Sequence, residues 1–263
     1  QLEMDQIDFI DKASYLGKII LEDFDIGTLL ERKDLGKLTM NIDIDGSGFT
    51  DKYLNTAIKG DVTKIDFNSY TYNNIVLNGN LKAPNYKGQI SVNDPNLNMN
   101  FDGLLDLSNK DNKYDFHINV KNADLHNLKL VKDSISIFKG DVVVQVSGNT
   151  IENLEGNIYI KKTSYQNEKD TYRFDDFNIK SSFDQDRVRT ITVDSPDIVQ
   201  GEIVGKFEFD QLGKLVKNAL GSLYTNFEPD KVDKGQFLKF SFSIYNKIIE
   251  IFYPEISIGS NTI

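Results

Sequence analysis

Few residues of this chain are of the types that do chemistry at a catalytic centre, and their spacing works against it. Its 263 residues include no cysteine, so neither thiolate chemistry nor a disulfide framework is available. The only histidines, His117 and His126, fall on different expected elements without HExxH-type spacing, so a metal site would have to be improvised. Asp43-Ile44-Asp45-Gly46-Ser47-Gly48 opens like an EF-hand calcium loop. Its twelfth position, however, holds Leu54 where a bidentate glutamate is needed, Ile44 takes a usually polar place, and a strand precedes it. A strand running into an Asp/Gly/Ser turn accounts for it better. No nucleophile elbow, phosphate-binding loop or dinucleotide fingerprint occurs. Carboxylates are abundant, yet they alternate with apolar residues as the wet face of a sheet does, and none is singled out. The expectation is a protein that is not an enzyme and takes no metal or cofactor.

What the sequence does repeat is a phrase, apolar-x-Gly-x-apolar. It reads Ile58-Lys59-Gly60-Asp61-Val62, Leu77-Asn78-Gly79-Asn80-Leu81, Tyr86-Lys87-Gly88-Gln89-Ile90 and Phe101-Asp102-Gly103-Leu104-Leu105, and returns at Gly140, Gly156, Gly201 and Gly205. Side chains of a strand alternate faces, so each glycine shares a face with its apolar neighbours. A glycine there removes volume that a closed core would keep, and marks a bend or a close approach. The expected form is a greasy, concave sheet face.

The elements that carry this face read as strands. Ile75, Leu77 and Leu81 share a side, as do Tyr86, Ile90 and Val92, then Leu97, Met99, Phe101, Leu105 and Leu107, then Phe116, Ile118 and Val120. Asn78, Asn80, Lys87, Gln89, Asn98, Asn100, Asp102, His117 and Asn119 face the other way. Pro84-Asn85, Asp94-Pro95-Asn96 and Asn109-Lys110-Asp111-Asn112 punctuate the runs as turns, which predicts hairpins and a mostly antiparallel meander of roughly 15 to 18 strands. An apolar face of that length cannot be left flat in water; it closes, gains a partner sheet or curls, and the glycines favour curling.

Two helices interrupt the strands. A short one is expected over residues 25–32, capped by Asp25. A longer amphipathic one is expected within 210–228, with Leu212, Leu215, Val216, Ala219, Leu220, Leu223 and Tyr224 on one side, Asp210 as cap and Pro229 near its end. The layout is a β segment over 1–209, the helix over 210–228, and a new β block from 229 to 263, with helices at repeat boundaries. The chain opens inside an alternating pattern, and reads as an excerpt of a longer protein. Its net charge of −10 argues against nucleic acid and against lying flat on an anionic membrane.

Four phrases in order carry a family resemblance. They are Phe24-Asp25-Ile26-Gly27-Thr28-Leu29-Leu30 through Asp45-Gly46-Ser47-Gly48; Ile65-Asp66-Phe67-Asn68-Ser69-Tyr70-Thr71-Tyr72 through Tyr86-Lys87-Gly88; Asp94-Pro95-Asn96-Leu97 with Phe101-Asp102-Gly103; and Val120-Lys121-Asn122-Ala123-Asp124-Leu125. Over most of residues 20–210 the chain resembles a middle segment of the TamB and AsmA-like group of bridge-like lipid-transfer proteins. That resemblance implies a β-taco, a long all-β sheet curled into a hydrophobic groove. It also implies a periplasmic location, an inner-membrane anchor outside this chain, docking on an outer-membrane barrel of the TamA/BamA type, and no catalytic residues.

The expected function is a conduit whose groove holds phospholipid acyl chains. Its wall is expected at Leu77, Leu81, Ile90, Val92, Met99, Phe101, Leu105, Phe116, Ile118, Phe138, Val142, Val144, Leu154, Ile158, Ile203 and Phe207. Gly79, Gly88, Gly103, Gly140 and Gly156 are expected to line its floor and leave width for a chain, so that a larger side chain there would be tolerated by the fold. The alternative is a chaperone-like scaffold that pairs its sheet edges with nascent barrel strands.

Overall fold

The computed structural model describes residues 2–4, 12–50, 52–107, 111–222 and 226–245. The protein is all-β, as its alternation requires. Its strands are β1 (Leu2–Met4), β2 (Ser14–Asp25), β3 (Leu35–Ser47), β4 (Asn55–Phe67), β5 (Tyr70–Lys82), β6 (Asn85–Asn93), β7 (Leu97–Asp106) and β8 (Lys113–Asp124). They continue as β9 (Ile137–Ser147), β10 (Glu155–Gln166), β11 (Thr171–Phe183), β12 (Arg189–Ser195), β13 (Val199–Lys206) and β14 (Phe237–Ile244). Each strand neighbours the next in chain order, in one antiparallel, curled and unclosed sheet. Fourteen strands among the described residues are fewer than expected, because runs such as β5 stay unbroken for 13 residues. The part of the last alternating run that reaches Ile258 lies outside the described residues.

The connections explain the meander. Asn68 and Ser69, with φ of 48° and 65°, join β4 to β5 through a two-residue turn with both central residues left-handed, the geometry that matches strand twist. Asp94-Pro95-Asn96 turns β6 into β7, closed by backbone bonds between Asp94 and Leu97 in both directions, at 2.9 and 3.2 Å. Between β2 and β3 sits helix α1 (Ile26–Leu29), where Asp25 Oδ1 accepts from Thr28 N–H at 2.8 Å, as a capping aspartate should.

The chain forms two compact units. One comprises residues 1–144 and 162–173, and the other 145–161 and 174–263, so the division falls inside the expected 1–209 segment. In the first unit, Leu38, Ile42 and Val62 form the buried centre. Leu21, Ile26, Met40, Ile44, Ile58, Ile65, Ile75 and Leu77 pack against them.

One buried carboxylate ties hairpins of this unit together. Asp94, 5% exposed, accepts from the Tyr70 hydroxyl at 2.5 Å, from Asn73 N–H and Nδ2 at 3.0 and 2.9 Å, and from Asn96 N–H at 2.8 Å. Burial would push its carboxyl up, but the Tyr70, Asn73 and Asn96 donors outweigh that and hold it below the ordinary 3.8.

In the second unit, β12, β13 and β14 pair in continuous register, Ile191 with Ile203 and Ile203 with Phe240 among them. Helix α2 (Phe209–Gly221) is inserted between β13 and β14. Its first-turn acid is Asp210, but the cap position belongs to Glu208, which makes no side-chain capping bond. The Phe209 N–H instead donates to Glu152 Oε1 at 3.0 Å, so the cap is supplied from a distant turn. The segment after α2 is strapped to it: Asn218 Nδ2 donates to Asp230 O, Asp230 N–H to Asn218 Oδ1, and Lys217 Nζ to Asp230 Oδ2. Leu223 and Tyr224, expected on the helix, lie outside the described residues.

The other node of this unit is Arg189, 3% exposed. Its guanidinium donates to the carbonyls of Ile151, at 3.1 Å, and Glu152, which lie in a single 3-10 turn over Ile151–Asn153. It is ringed by Phe183, Phe207 and Phe209, with centroids 4.7, 5.9 and 4.8 Å away.

Asp94→Ala removes the acceptor from four donors and should destabilise the first unit by about 2–3 kcal/mol, read by denaturant titration. Because the folded pKa is depressed, the contribution of Asp94 is fully present above the unfolded value near 3.8. It is lost as pH falls through the lower folded value. The gap between wild type and Asp94→Ala should therefore narrow on acidification below about pH 4.

Candidate functional site: an apolar sheet face

Strand register, rather than any single residue, builds the site. From β2 to β8 the pairings align the side chains of one face of the first unit into rows that cross seven strands. One row runs Ile19, Ile42, Gly60, Leu77, Ile90, Phe101, Ile118. The next runs Leu21, Met40, Val62, Ile75, Val92, Met99, Val120, and a third Tyr15, Gly46, Thr56, Leu81, Tyr86, Leu105, Tyr114. Slipping any strand by one residue would send its apolar set to water, so the hydrophobic pattern itself fixes the register.

Of the sixteen wall residues expected from the sequence, Leu77, Leu81, Ile90, Val92, Met99, Phe101, Leu105, Phe116, Ile118, Phe138, Val142 and Val144 all belong to the first unit. Val92 and Phe101 are buried and the others half-buried. Leu154, Ile158, Ile203 and Phe207 belong to the second unit and are half-buried there. Phe207 has a local task as well, stacking edge-on with Phe209 at 5.8 Å beside Arg189.

Sequence reasoning left out the β2–β4 share of this surface, Ile19, Ile42, Ile44, Ile58 and Val62. Their alternation is as regular as that of the later strands, and Leu38, Met40, Ile42, Ile44 was the signal. Aromatic contact runs along the face as well. Tyr86 and Phe101 lie 6.4 Å apart and Phe101 and Phe116 5.3 Å, centroid to centroid.

The opposite face of the same strands is wet and bonded to itself. Gln89 Nε2 donates to Asp102 Oδ2 at 2.6 Å, Ser91 Oγ to Asn100 Oδ1 at 2.7 Å, and Asn119 Nδ2 to Asp141 Oδ1 at 2.6 Å. His117 Nε2 stands 3.4 Å from the same Asp141 oxygen. The Asn119 amide, reinforced by His117, holds the Asp141 carboxyl below its ordinary range despite partial burial. His126 lies apart, in the connection between β8 and β9. Asp43, from the calcium-like phrase, is on β3 and pairs with Lys18 at 3.3 Å. Among the described residues, no group of three or more His, Cys, Asp or Glu is placed to hold a metal ion.

The glycines need a correction. Gly79, Gly88 and Gly103 do fall in register on β5, β6 and β7, between Ile58 of β4 and Phe116 of β8. They do not leave spare width, because neighbouring backbone crowds the side where a Cβ would stand. A methyl at Gly79 would lie 2.7 Å from Lys87 O, and one at Gly88 2.5 Å from Asn78 O, both inside contact distance. At Gly156 the constraint is also conformational, since its φ of 133° is one that L-residues rarely adopt. Gly140 is buried. These glycines let neighbouring backbone approach closely; they do not enlarge the space above the face.

No family model matches this chain, and no curated protein or solved structure matches it.

Gly88→Leu should therefore destabilise the first unit, by about 1–3 kcal/mol or more, as overpacking against fixed backbone does. A melting temperature equal to that of wild type would show that the backbone there yields freely.

Proposed function

We propose that the apolar face is the wall of a hydrophobic groove that carries phospholipid acyl chains. The chain would then be the middle of a periplasmic, inner-membrane-anchored conduit between the two membranes. The observation that carries the reading is the burial state of the face. Its residues lie in rows across seven strands, yet most stay half-exposed, as they would if water or a mobile occupant rather than a second layer of protein met them. A surface of that extent is costly in water, and monomeric proteins rarely leave one bare.

An acyl chain suits such a wall better than a polar or compact ligand. Each methylene removed from water contributes about 0.8 kcal/mol, and on a uniform wall that gain is the same at every step, so sliding has little net cost. Helices α1 and α2 would mark repeat boundaries, and a TamA/BamA-type barrel would be the outer-membrane partner. The activity is transport, without a catalytic step.

Val142→Asp puts a charge on the wall, whereas Asn100→Asp puts the same charge on the wet face. Mass spectrometry of phospholipid retained by the purified chain should show loss in the first variant and no change in the second. Equal retention in both would contradict the groove. Absence of phospholipid from wild type, with unfolded barrel protein bound instead, would favour a strand-pairing scaffold.

A further inference from the structure

A cation stands on the apolar face of the second unit. Pairing of β11 through β14 sets Phe183, Arg189, Gly205 and Leu238 in one row and Ser181, Ile191, Ile203 and Phe240 in the next, all on one side of the sheet. Arg189 is nevertheless only 3% exposed, so other parts of the chain cover it. The contacts show which parts. Its guanidinium donates to the carbonyls of Ile151, at 3.1 Å, and Glu152. From the neighbouring row, Ser181 Oγ donates to the Leu154 carbonyl at 2.8 Å. The connection from β9 to β10 is thus fastened to this face by the main chain of three of its residues. Phe209, the first residue of α2, brings its ring to 4.8 Å from the guanidinium and its N–H to Glu152 Oε1 at 3.0 Å.

The polar groups at these two places follow from what they hold. A turn laid on an apolar face brings carbonyls that need donors, and aliphatic and phenyl side chains offer none. Arginine supplies donors from a planar group whose flat sides pack on rings, here Phe183, Phe207 and Phe209. We propose that residues 151–154 form a strap latched across this margin of the apolar face, with Arg189 as the latch and Glu152 passing the closure on to helix α2. The strap withholds the margin from any apolar occupant. Glu152 serves twice, its backbone carbonyl held by Arg189 and its carboxylate holding Phe209. Removing the carboxylate therefore frees the start of α2 alone, whereas removing the guanidinium frees the turn and, with it, the α2 cap. Closure in this sense needs no lipid and stands apart from the groove reading above.

Hydrogen exchange at single amides of the purified full chain, followed by NMR, reads each link separately. In Arg189→Ala the Phe209 amide should exchange about ten-fold faster or more, the factor for losing hydrogen bonds to a charged group. The Asn153 amide, bonded within the turn to Thr150 O at 3.0 Å, should speed up with it, while β12 and β13 stay protected. In Glu152→Ala the Phe209 amide should speed up and the Asn153 amide should not. Nile red, a neutral apolar dye, should emit more strongly with Arg189→Ala than with wild type. Arg189→Lys keeps a charge but loses the planar fork; it covers the case in which the alanine variant does not fold, and should show the same pattern.

An unchanged Phe209 amide in Arg189→Ala, or Nile red emission no higher than that of wild type, overturns the latch. Equal acceleration of Asn153 in Glu152→Ala overturns the order assigned to the two links. Loss of protection throughout β12 and β13 in both Arg189 variants also overturns the proposal, because Arg189 would then hold the whole unit rather than a strap. Phospholipid retention by wild type, measured separately, tests the groove reading by itself.

Discussion

Everything in this protein depends on the lock between strand register and the period-two alternation of side chains. A sheet has two faces, and each strand here must set its apolar residues on the same one as its neighbours or lose their burial altogether. The pairings of β2 through β8 satisfy that condition row by row, with small shifts only where β2 meets β3, β3 meets β4 and β7 meets β8. From this constraint follow a wet face bonded through Gln89–Asp102, Ser91–Asn100 and Asn119–Asp141, and an apolar face whose rows run across the strands. Function, on this account, is a property of the face.

The second requirement is close approach of neighbouring strands, and the glycines meet it. Gly79, Gly88 and Gly103 lie in line on three adjacent strands, where the backbone crowds the apolar side. Side chains larger than hydrogen would force the strands apart. Tyr86 packs beside them, its hydroxyl donating to the Gln89 backbone carbonyl at 3.2 Å.

How much of this was legible in the sequence depends on how local the cause is. Alternation is local, so the face of Leu77, Ile90, Phe101 and Ile118, the turn at Asp94-Pro95-Asn96 and the Asp25 cap could all be read from spacing and residue type. The role of the glycines was half legible. The phrase places them on the apolar face, but only the cross-strand partner says what a Cβ would strike, and that partner lies outside the local window. Asp94 looked like an ordinary turn residue because Tyr70 and Asn73, its donors, come from another hairpin. Arg189 and Glu152 were missed for the same reason. The Arg189 guanidinium reaches carbonyls some 37 positions away, and Glu152 caps a helix 57 positions further on. Neither link leaves a pattern in the intervening residues.

The central claim is that one face of the sheet meets acyl chain and the other does not, and two adjacent residues of β8 can test it. Ile118 is half-buried on the apolar face and His117 exposed on the wet one. A photo-activatable side chain placed at each in turn, in the full chain within bacterial envelopes, should crosslink phospholipid from position 118 and not from position 117. Labelling of phospholipid to the same extent from both positions, or from neither, would contradict the account.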